Sequence, residues 1–397
     1  MGLRLNKFDF TKMIPSREQR IQSASAKPVP ELDTYAPNRL AKELHPDKQY
    51  VKIARITERG NDVKTFTLVP DKEKGTEKLA YFSAGQYLSI ELKVGDATIT
   101  RPYSISSSPK DALDGRYELT IKRVDGGLAT NYILDEWTEG TELTVSAPEG
   151  EFCYEPLRDA ETVVGIAGGS GITPFVSLAN AIADGDEEAN LVLLYGSRTA
   201  DEILFKAELD EIEKKCDKVK VVHVLSAETK DGYEHGFITA ELIKKYAPNK
   251  EYSVFMCGPQ AMYDFVDKET EKLHIRRKFV RHEVFGEYYN PDKNADYPVK
   301  AKGNRFNLTV IIRDEKYEIE CDANETVLNA IERAGIKAPA KCRSGVCGYC
   351  HSRLIDGKVY VPKSVDGRRL ADYDYGYVHP CCSFPISNVT IDVPPTK

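Results

Sequence analysis

Three thiols fall within nine positions of this chain, at Cys342, Cys347 and Cys350 in the stretch KCRSGVCGYC, and Cys381 and Cys382 follow further on. A C-x4-C-x2-C run with a distant fourth thiol is the spacing of a loop wrapped around an inorganic 2Fe-2S cluster, whose last thiolate arrives from a later strand. Gly345 and Gly348 suit such a loop, because a backbone folded tightly around sulfur needs open dihedral angles and N–H groups aimed inward. A structural zinc site pairs its ligands two and two, a poor match to three plus one. A redox dithiol at Cys347 and Cys350 would sit at the start of a helix in a βαβ unit, and it would leave the other thiols unexplained. The ligand set is therefore Cys342, Cys347, Cys350 and one of Cys381 or Cys382.

Four further stretches carry residues suited to phosphate and hydride chemistry. RPYSISSSP (101–109) sets Arg101, Pro102, Tyr103 and Ser104 on a strand: a guanidinium fork can pair with phosphate, a ring can pack on a flat cofactor, and a hydroxyl can bond a ring edge. Gly126, Gly127, Leu128, Ala129 and Thr130 open a helix, and a helix start with glycines and a hydroxyl accepts phosphate; a capped surface helix is the plain alternative. VVGIAGGSGITPFVS (163–177) reads as strand, glycine turn and helix. It departs from the six-position dinucleotide fingerprint, since Pro174 replaces the last glycine and no acidic residue follows at the usual spacing. Proline is nonetheless well placed in a first helical turn. MCGPQAM (256–262) ends a strand at Cys257, with Gly258 allowing close approach and Pro259 following; a buried cysteine by itself is more often a small core residue.

The elements around these residues change character along the chain. Residues 1–47 are polar with scattered prolines and read as an arm with one short helix. Over 48–157, YVKIARITE, VKTFTLVP, YLSIELKV, YELTIKRV and ELTVSAP are short alternating runs separated by Gly and Asp, the pattern of an antiparallel β-barrel. Over 158–287, the apolar runs TVVGIAGG, NLVLLYGS, VKVVHVLS and YSVFMCGP alternate with helical segments, which predicts an α/β domain with a parallel sheet covered on both faces. Residues 288–304 form a polar linker. Over 305–397, a hairpin from FNLTVIIRD and KYEIECD, the helical ETVLNAIERAG and the thiol loop make a small α+β domain of the β-grasp kind.

Composition narrows the function classes. A chain of 397 residues with 41% hydrophobic content buries more than one core. A net charge of −7, with no basic tract interleaved with aromatics, excludes a broad nucleic-acid footprint. No apolar run is long enough to span a membrane, and the start lacks the apolar stretch of a secretory signal. Nine cysteines, an odd number, read as thiols in a reducing cytoplasm rather than a disulfide frame.

Together these motifs resemble the ferredoxin–NADP reductase superfamily, with a C-terminal domain similar to the plant-type ferredoxins. RPYS resembles the R-x-Y-S/T flavin motif, GGSGITP the GGxGITP turn, MCGPQAM the C-G-P-x-x-M signature and HEVFG (282–286) the E-x-F-G ending. The resemblance implies that Tyr103 and Ser104 address the flavin ring, Arg101 a flavin phosphate, and Gly127, Leu128 and Thr130 the pyrophosphate. It implies that Gly169 and Gly171 hold the nucleotide pyrophosphate, that Thr173, Cys257 and Glu283 surround the nicotinamide, and that Phe285 closes the ring face. In the ferredoxins a pair such as Arg-Pro follows the last ligand by three residues; Phe384-Pro385 stands there, which selects Cys381. Where plant-type reductases place Ser-Arg for a 2′-phosphate, this chain has Ser226-Ala227, which favours NADH; Ser197 and Arg198 lie on the preceding strand, and Arg198 keeps NADPH as the alternative. The KRVDGG segment (122–127) resembles the FAD-binding relatives more than the FMN-binding dioxygenase reductase branch.

The order flavin barrel, nicotinamide domain, ferredoxin domain resembles the reductase components of multicomponent oxygenases and the hybrid-cluster-protein reductases. It implies FAD, a 2Fe-2S cluster and NADH as cofactors, and a separate protein as electron acceptor. The alternatives are a stand-alone NAD(P)H oxidase or diaphorase, and a non-catalytic redox-sensing module. The sequence leaves the oligomeric state open.

Overall fold

The computed structural model describes residues 7–25, 31, 34–60, 62–95, 97–284 and 286–396. Residues 1–45 and 46–397 separate as two units. The first carries two helices rather than one, α1 (Lys7–Ser25) and α2 (Ala36–Leu44). From Ile14 to Ala24 the α1 side chains are exposed. Helix-favouring Arg, Glu and Gln form this element locally, without the apolar stripe that would betray it.

The second unit begins with β1 (Gln49–Glu58), β2 (Val63–Pro70), β3 (Tyr87–Val94), β4 (Ala97–Ser104), β5 (Tyr117–Lys122) and β6 (Glu142–Val145). They form one antiparallel sheet in the order β4-β3-β6-β1-β2-β5. A bridge between Ile105 and Leu119 links the two edge strands and closes the sheet into a barrel. Its inward residues, among them Val51, Ile53, Phe66, Leu88 and Ile90, are buried with Trp137 set edge-on against Phe66 at 5.1 Å. Helix α3 (Pro109–Leu113) is capped by Ser108, and α4 (Leu128–Glu136) follows Gly127.

The next sheet is wholly parallel, in the order β10-β9-β8-β7-β11-β12: β7 (Thr162–Gly168), β8 (Asn190–Ser197), β9 (Val219–Leu225), β10 (Glu234–His235), β11 (Ser253–Cys257) and β12 (Val280–Glu283). Strands β7 and β11 are buried throughout. Val163 and Ala167 pack in one apolar layer with α5 (Thr173–Asp184) and α6 (Lys206–Lys215); Val164 and Ile166 pack in the other with α7 (Ala240–Tyr246) and α8 (Gln260–Glu271). Burial on both faces is why these strands read as continuous apolar runs. Phe152 from the barrel side meets Phe175 at 5.7 Å and Phe255 at 5.1 Å, which seals the barrel against this domain.

The last domain contains the expected hairpin, β13 (Arg305–Ile312) with β14 (Glu315–Asp322), and α9 (Val327–Arg333), whose N-cap Thr326 accepts from the Asn329 N–H at 3.2 Å. The strands β15 (Ser352–Asp356), β17 (Tyr377–Val378) and β19 (Val389–Asp392) complete a sheet ordered β14-β13-β19-β15-β17. Strands β16 (Val359–Tyr360) and β18 (Phe384–Pro385) pair beside it, and α10 (Leu370–Tyr375) covers one end. The polar linker 288–304 is packed as a strap. Tyr297 is buried edge-on to Tyr360 at 5.0 Å, its hydroxyl donates to the Ala323 carbonyl at 3.2 Å, and Tyr288 packs against Phe384. Tyr297 buries its ring and Tyr288 half-buries its own while both satisfy their hydroxyls, which a count of polar residues overlooks.

Among the described residues no helix is long and apolar enough to cross a membrane.

Candidate active site and cluster loop

The glycine turn and the Cys257 strand end meet at one place. Strands β7 and β11 are neighbours at the point where the strand order reverses, and their carboxyl ends are where an open α/β sheet receives ligands. The approach is close enough to demand glycine: a Cβ on Gly171 would lie 2.2 Å from the Cys257 carbonyl oxygen, and one on Gly258 2.5 Å from the Met262 methyl. Thr173 starts α5 with Pro174 in the first turn, and its hydroxyl donates to the Ser170 carbonyl at 3.2 Å. Tyr195 donates to the Gly169 carbonyl at 3.0 Å and fixes the turn from below. Tyr263 accepts from the Gly258 N–H at 3.0 Å and donates to the Glu283 carbonyl, tying the ends of β11 and β12 together.

Cys257 and Glu283 are both buried. Burial pushes the Cys257 thiol well up, and Glu283 adds to it; burial likewise pushes the Glu283 carboxyl well above the usual carboxylate range, with Cys342 adding to it. Glu283 is thus held toward its neutral form beside the thiol loop of another domain.

A cavity of about 570 Å³ opens at the same strand ends, lined by Gly169, Ser197, Arg198, Ser226 and Pro259 among the expected residues. It is also lined by Phe237 and Phe265, two exposed rings 5.6 Å apart. Nothing in the sequence points to this pair, since each ring lies in an ordinary segment and only the fold brings them together. Glu202 and Arg198 both line this cavity.

In the barrel, Ser104 pairs in register with Tyr87 across β3 and β4. The Ser104 hydroxyl is buried and has no hydrogen-bond partner among the described residues, an orphan that an incoming acceptor or donor would satisfy. Tyr103 lies in the same strand, partly buried against the barrel core, and burial pushes its phenol up. Pro102 is buried beside it. Arg101 is already engaged, its guanidinium 3.0 Å from Glu287 and 3.7 Å from Glu332. At the start of α4, Gly126 has φ +70° and Leu128 is exposed, while the Thr130 hydroxyl accepts from the Val124 N–H at 3.1 Å. Phe285 lies outside the described residues.

The thiols fall into two pairs. Cys342 Sγ accepts from the N–H groups of Ser344 at 3.5 Å and Cys347 at 3.4 Å, and Cys347 Sγ accepts from the Tyr349 N–H at 3.5 Å. The bond from Cys347, with those N–H groups, pulls the Cys342 thiol below its ordinary value. Cys350 and Cys381 place their sulfurs 3.5 Å apart. Cys382 instead turns toward the His379 carbonyl at 3.5 Å and lies beneath Gly345, where a Cβ would be 2.8 Å from its sulfur. Two thiols on each side, with N–H groups aimed at sulfur, fit a cluster of two bridged irons.

The comparisons agree with this order of sites. Family models match for the oxidoreductase FAD-binding domain over residues 50–154, the oxidoreductase NAD-binding domain over 166–268, and the 2Fe-2S iron-sulfur cluster binding domain over 310–386. The chain thus carries, in order, an oxidoreductase FAD-binding domain, an oxidoreductase NAD-binding domain and a C-terminal 2Fe-2S domain, the order of an NAD(P)H-dependent oxidoreductase. Within that class it is similar to the glycine betaine monooxygenase reductase subunit of Pseudomonas aeruginosa, 28% identical with 87% of this chain and 95% of the relative covered. It is also 28% identical to the 3-ketosteroid-9-alpha-monooxygenase ferredoxin reductase component of Rhodococcus rhodochrous, over 85% of this chain and 94% of that one. The solved structure of phthalate dioxygenase reductase covers 88% of this chain and 98% of its own at 26% identity, with a TM-score of 0.62.

Proposed function

We propose that this chain is the cytoplasmic reductase component of an oxygenase system, taking hydride from NADH and handing single electrons to a separate terminal oxygenase. When bound, FAD accepts the two-electron hydride and the 2Fe-2S cluster releases electrons one at a time. The observation that carries the reading is the placement of the thiol loop against the flavin strand: Arg343, next to Cys342, reaches the Thr100 carbonyl of β4 at 3.4 Å. Hydride site and electron exit therefore belong to one body.

In this reading the chain positions reactants and needs no general acid or base. Ser104 offers its orphan hydroxyl to the flavin ring edge, Tyr103 its ring, and Gly126, Gly127, Leu128 and Thr130 receive the pyrophosphate. Arg101 can serve a flavin phosphate only by sharing its charge with Glu287 and Glu332. Gly169, Gly171, Thr173 and Pro174 seat the nucleotide, with Cys257, Gly258 and Glu283 around the nicotinamide. Ser197, Arg198, Ser226 and Pro259 line the adenosine side. Glu202, a carboxylate lining the same cavity as Arg198, favours a ribose diol over a phosphate, in line with NADH. Cys342, Cys347, Cys350 and Cys381 hold the cluster.

The test is Cys347→Ser in the purified holoprotein. NADH should still bleach the flavin at the native rate, while reduction of a one-electron protein acceptor falls at least a hundredfold. Native acceptor turnover in that variant would defeat the proposal and favour direct oxidation of the flavin by small oxidants.

A further inference from the structure

Two guanidinium groups and two carboxylates from separate stretches of chain meet where the ferredoxin domain abuts the barrel. The Arg343 side chain has no exposed surface. Its Nη1 donates to Glu332 at 2.6 Å, its Nε and Nη2 donate to Glu287 at 2.9 and 2.5 Å, and Nη2 also donates to Asn329. Arg101 of β4 faces the same two carboxylates. Glu287 in turn accepts from the Asn329 side-chain amide. Arg343 reaches this seam from a left-handed backbone, φ 58°, a conformation that a residue with a Cβ adopts only when its surroundings enforce it.

We propose that Arg343, Glu287, Glu332 and Arg101 form a positioning clasp that holds the thiol loop at one fixed distance from the flavin strand. Apolar seams tolerate sliding, whereas buried charges must keep their partners, since separating them leaves an uncompensated ion out of water. The two positive and two negative groups balance, and every carboxylate is shared between loop and strand. Each end is anchored to a site: Arg343 adjoins Cys342, and Arg101 stands in the same short strand as Tyr103 and Ser104. Electron transfer between two centres falls exponentially with their separation, so a clasp that removes slack acts on that step and leaves hydride transfer alone. Glu287 is the hub, since it lies 3.0 Å from Arg101 and 2.5 Å from Arg343, whereas Glu332 approaches Arg101 only to 3.7 Å. The inference rests on the flavin-to-cluster order proposed above.

The experiment uses the full-length holoprotein and Glu287→Gln, which keeps the shape and removes the charge, with Glu332→Gln as a second variant should the first fold poorly. Iron and flavin content and the rate of flavin bleaching by NADH should match the wild type. The paramagnetic signal of the reduced cluster should appear at least tenfold more slowly, and amide exchange in residues 97–104 and 327–333 should quicken. The clasp requires both changes: an iron-replete variant whose cluster is reduced at the native rate, or whose exchange is unaltered, overturns it. A wild-type cluster indifferent to NADH would instead sink the functional reading, and the exchange measurement would then decide the clasp alone.

Discussion

At the scale of single residues the chemistry turns on orphaned or paired groups. The Ser104 hydroxyl has no hydrogen-bond partner among the described residues, so Ser104→Ala should leave the thermal midpoint unchanged or slightly raised while slowing flavin reduction about tenfold, a loss of ~1.4 kcal/mol of stabilisation. Stopped-flow bleaching beside a melting curve measures both. An unchanged rate would remove Ser104 from the flavin site. The thiol pairs decide between adjacent cysteines: Cys381 faces Cys350, and Cys382 faces away. Purified Cys381→Ala should therefore lack the cluster, and Cys382→Ala should keep its full iron and sulfide, read by metal analysis. The reverse pattern would reassign the fourth ligand.

At the scale of elements, β9 carries a titration that couples pH to stability. His223 is largely enclosed between Tyr195 and Tyr233 with neither ring nitrogen hydrogen-bonded. Burial, and then Lys206, holds its pKa down to about 4 from 6.5, against the opposing pull of Asp210. The unfolded chain therefore binds this proton between about pH 6.5 and 4 while the folded chain does not, and stability falls as pH drops through that window. His223→Phe should flatten the acid side of the plot of melting temperature against pH. A slope equal to the wild type's over that window would refute the assignment. The same domain shows why Gly171 is not interchangeable with alanine, because it sits against backbone atoms of β11 that cannot yield.

At the scale of the whole molecule, residues 46–397 form one unit in which each domain leans on another. Phe152 is shared between the barrel and the nicotinamide domain, Arg59 pairs with Glu208 across the same seam, and Lys341 beside the thiol loop pairs with Glu149 of the barrel side. Calorimetry of the holoprotein should show one cooperative transition for this unit, and Phe152→Ala should lower its stability by ~3–5 kcal/mol. Three well-separated transitions in the wild type would show that the seams carry little coupling.

The amino-acid sequence by itself determined the local parts. Alternation in VKTFTLVP and YLSIELKV, continuous apolar runs such as TVVGIAG, and the cysteine spacing each depend on neighbours within a few positions, so the barrel, the parallel sheet and the thiol loop were legible there. Helix α1 was not, because its described side chains lie in solvent and leave no apolar period. The packed strap was hidden by its polar composition, since a tyrosine that buries its ring and bonds its hydroxyl reads the same as one in a loop. Only the tertiary structure decided how residues far apart in the chain meet: Phe237 with Phe265, Glu283 near Cys342, and Arg101 with Arg343 through Glu287 and Glu332. Such meetings depend on how domains dock, and docking is fixed by surfaces assembled from many segments, of which no short window of sequence holds a record.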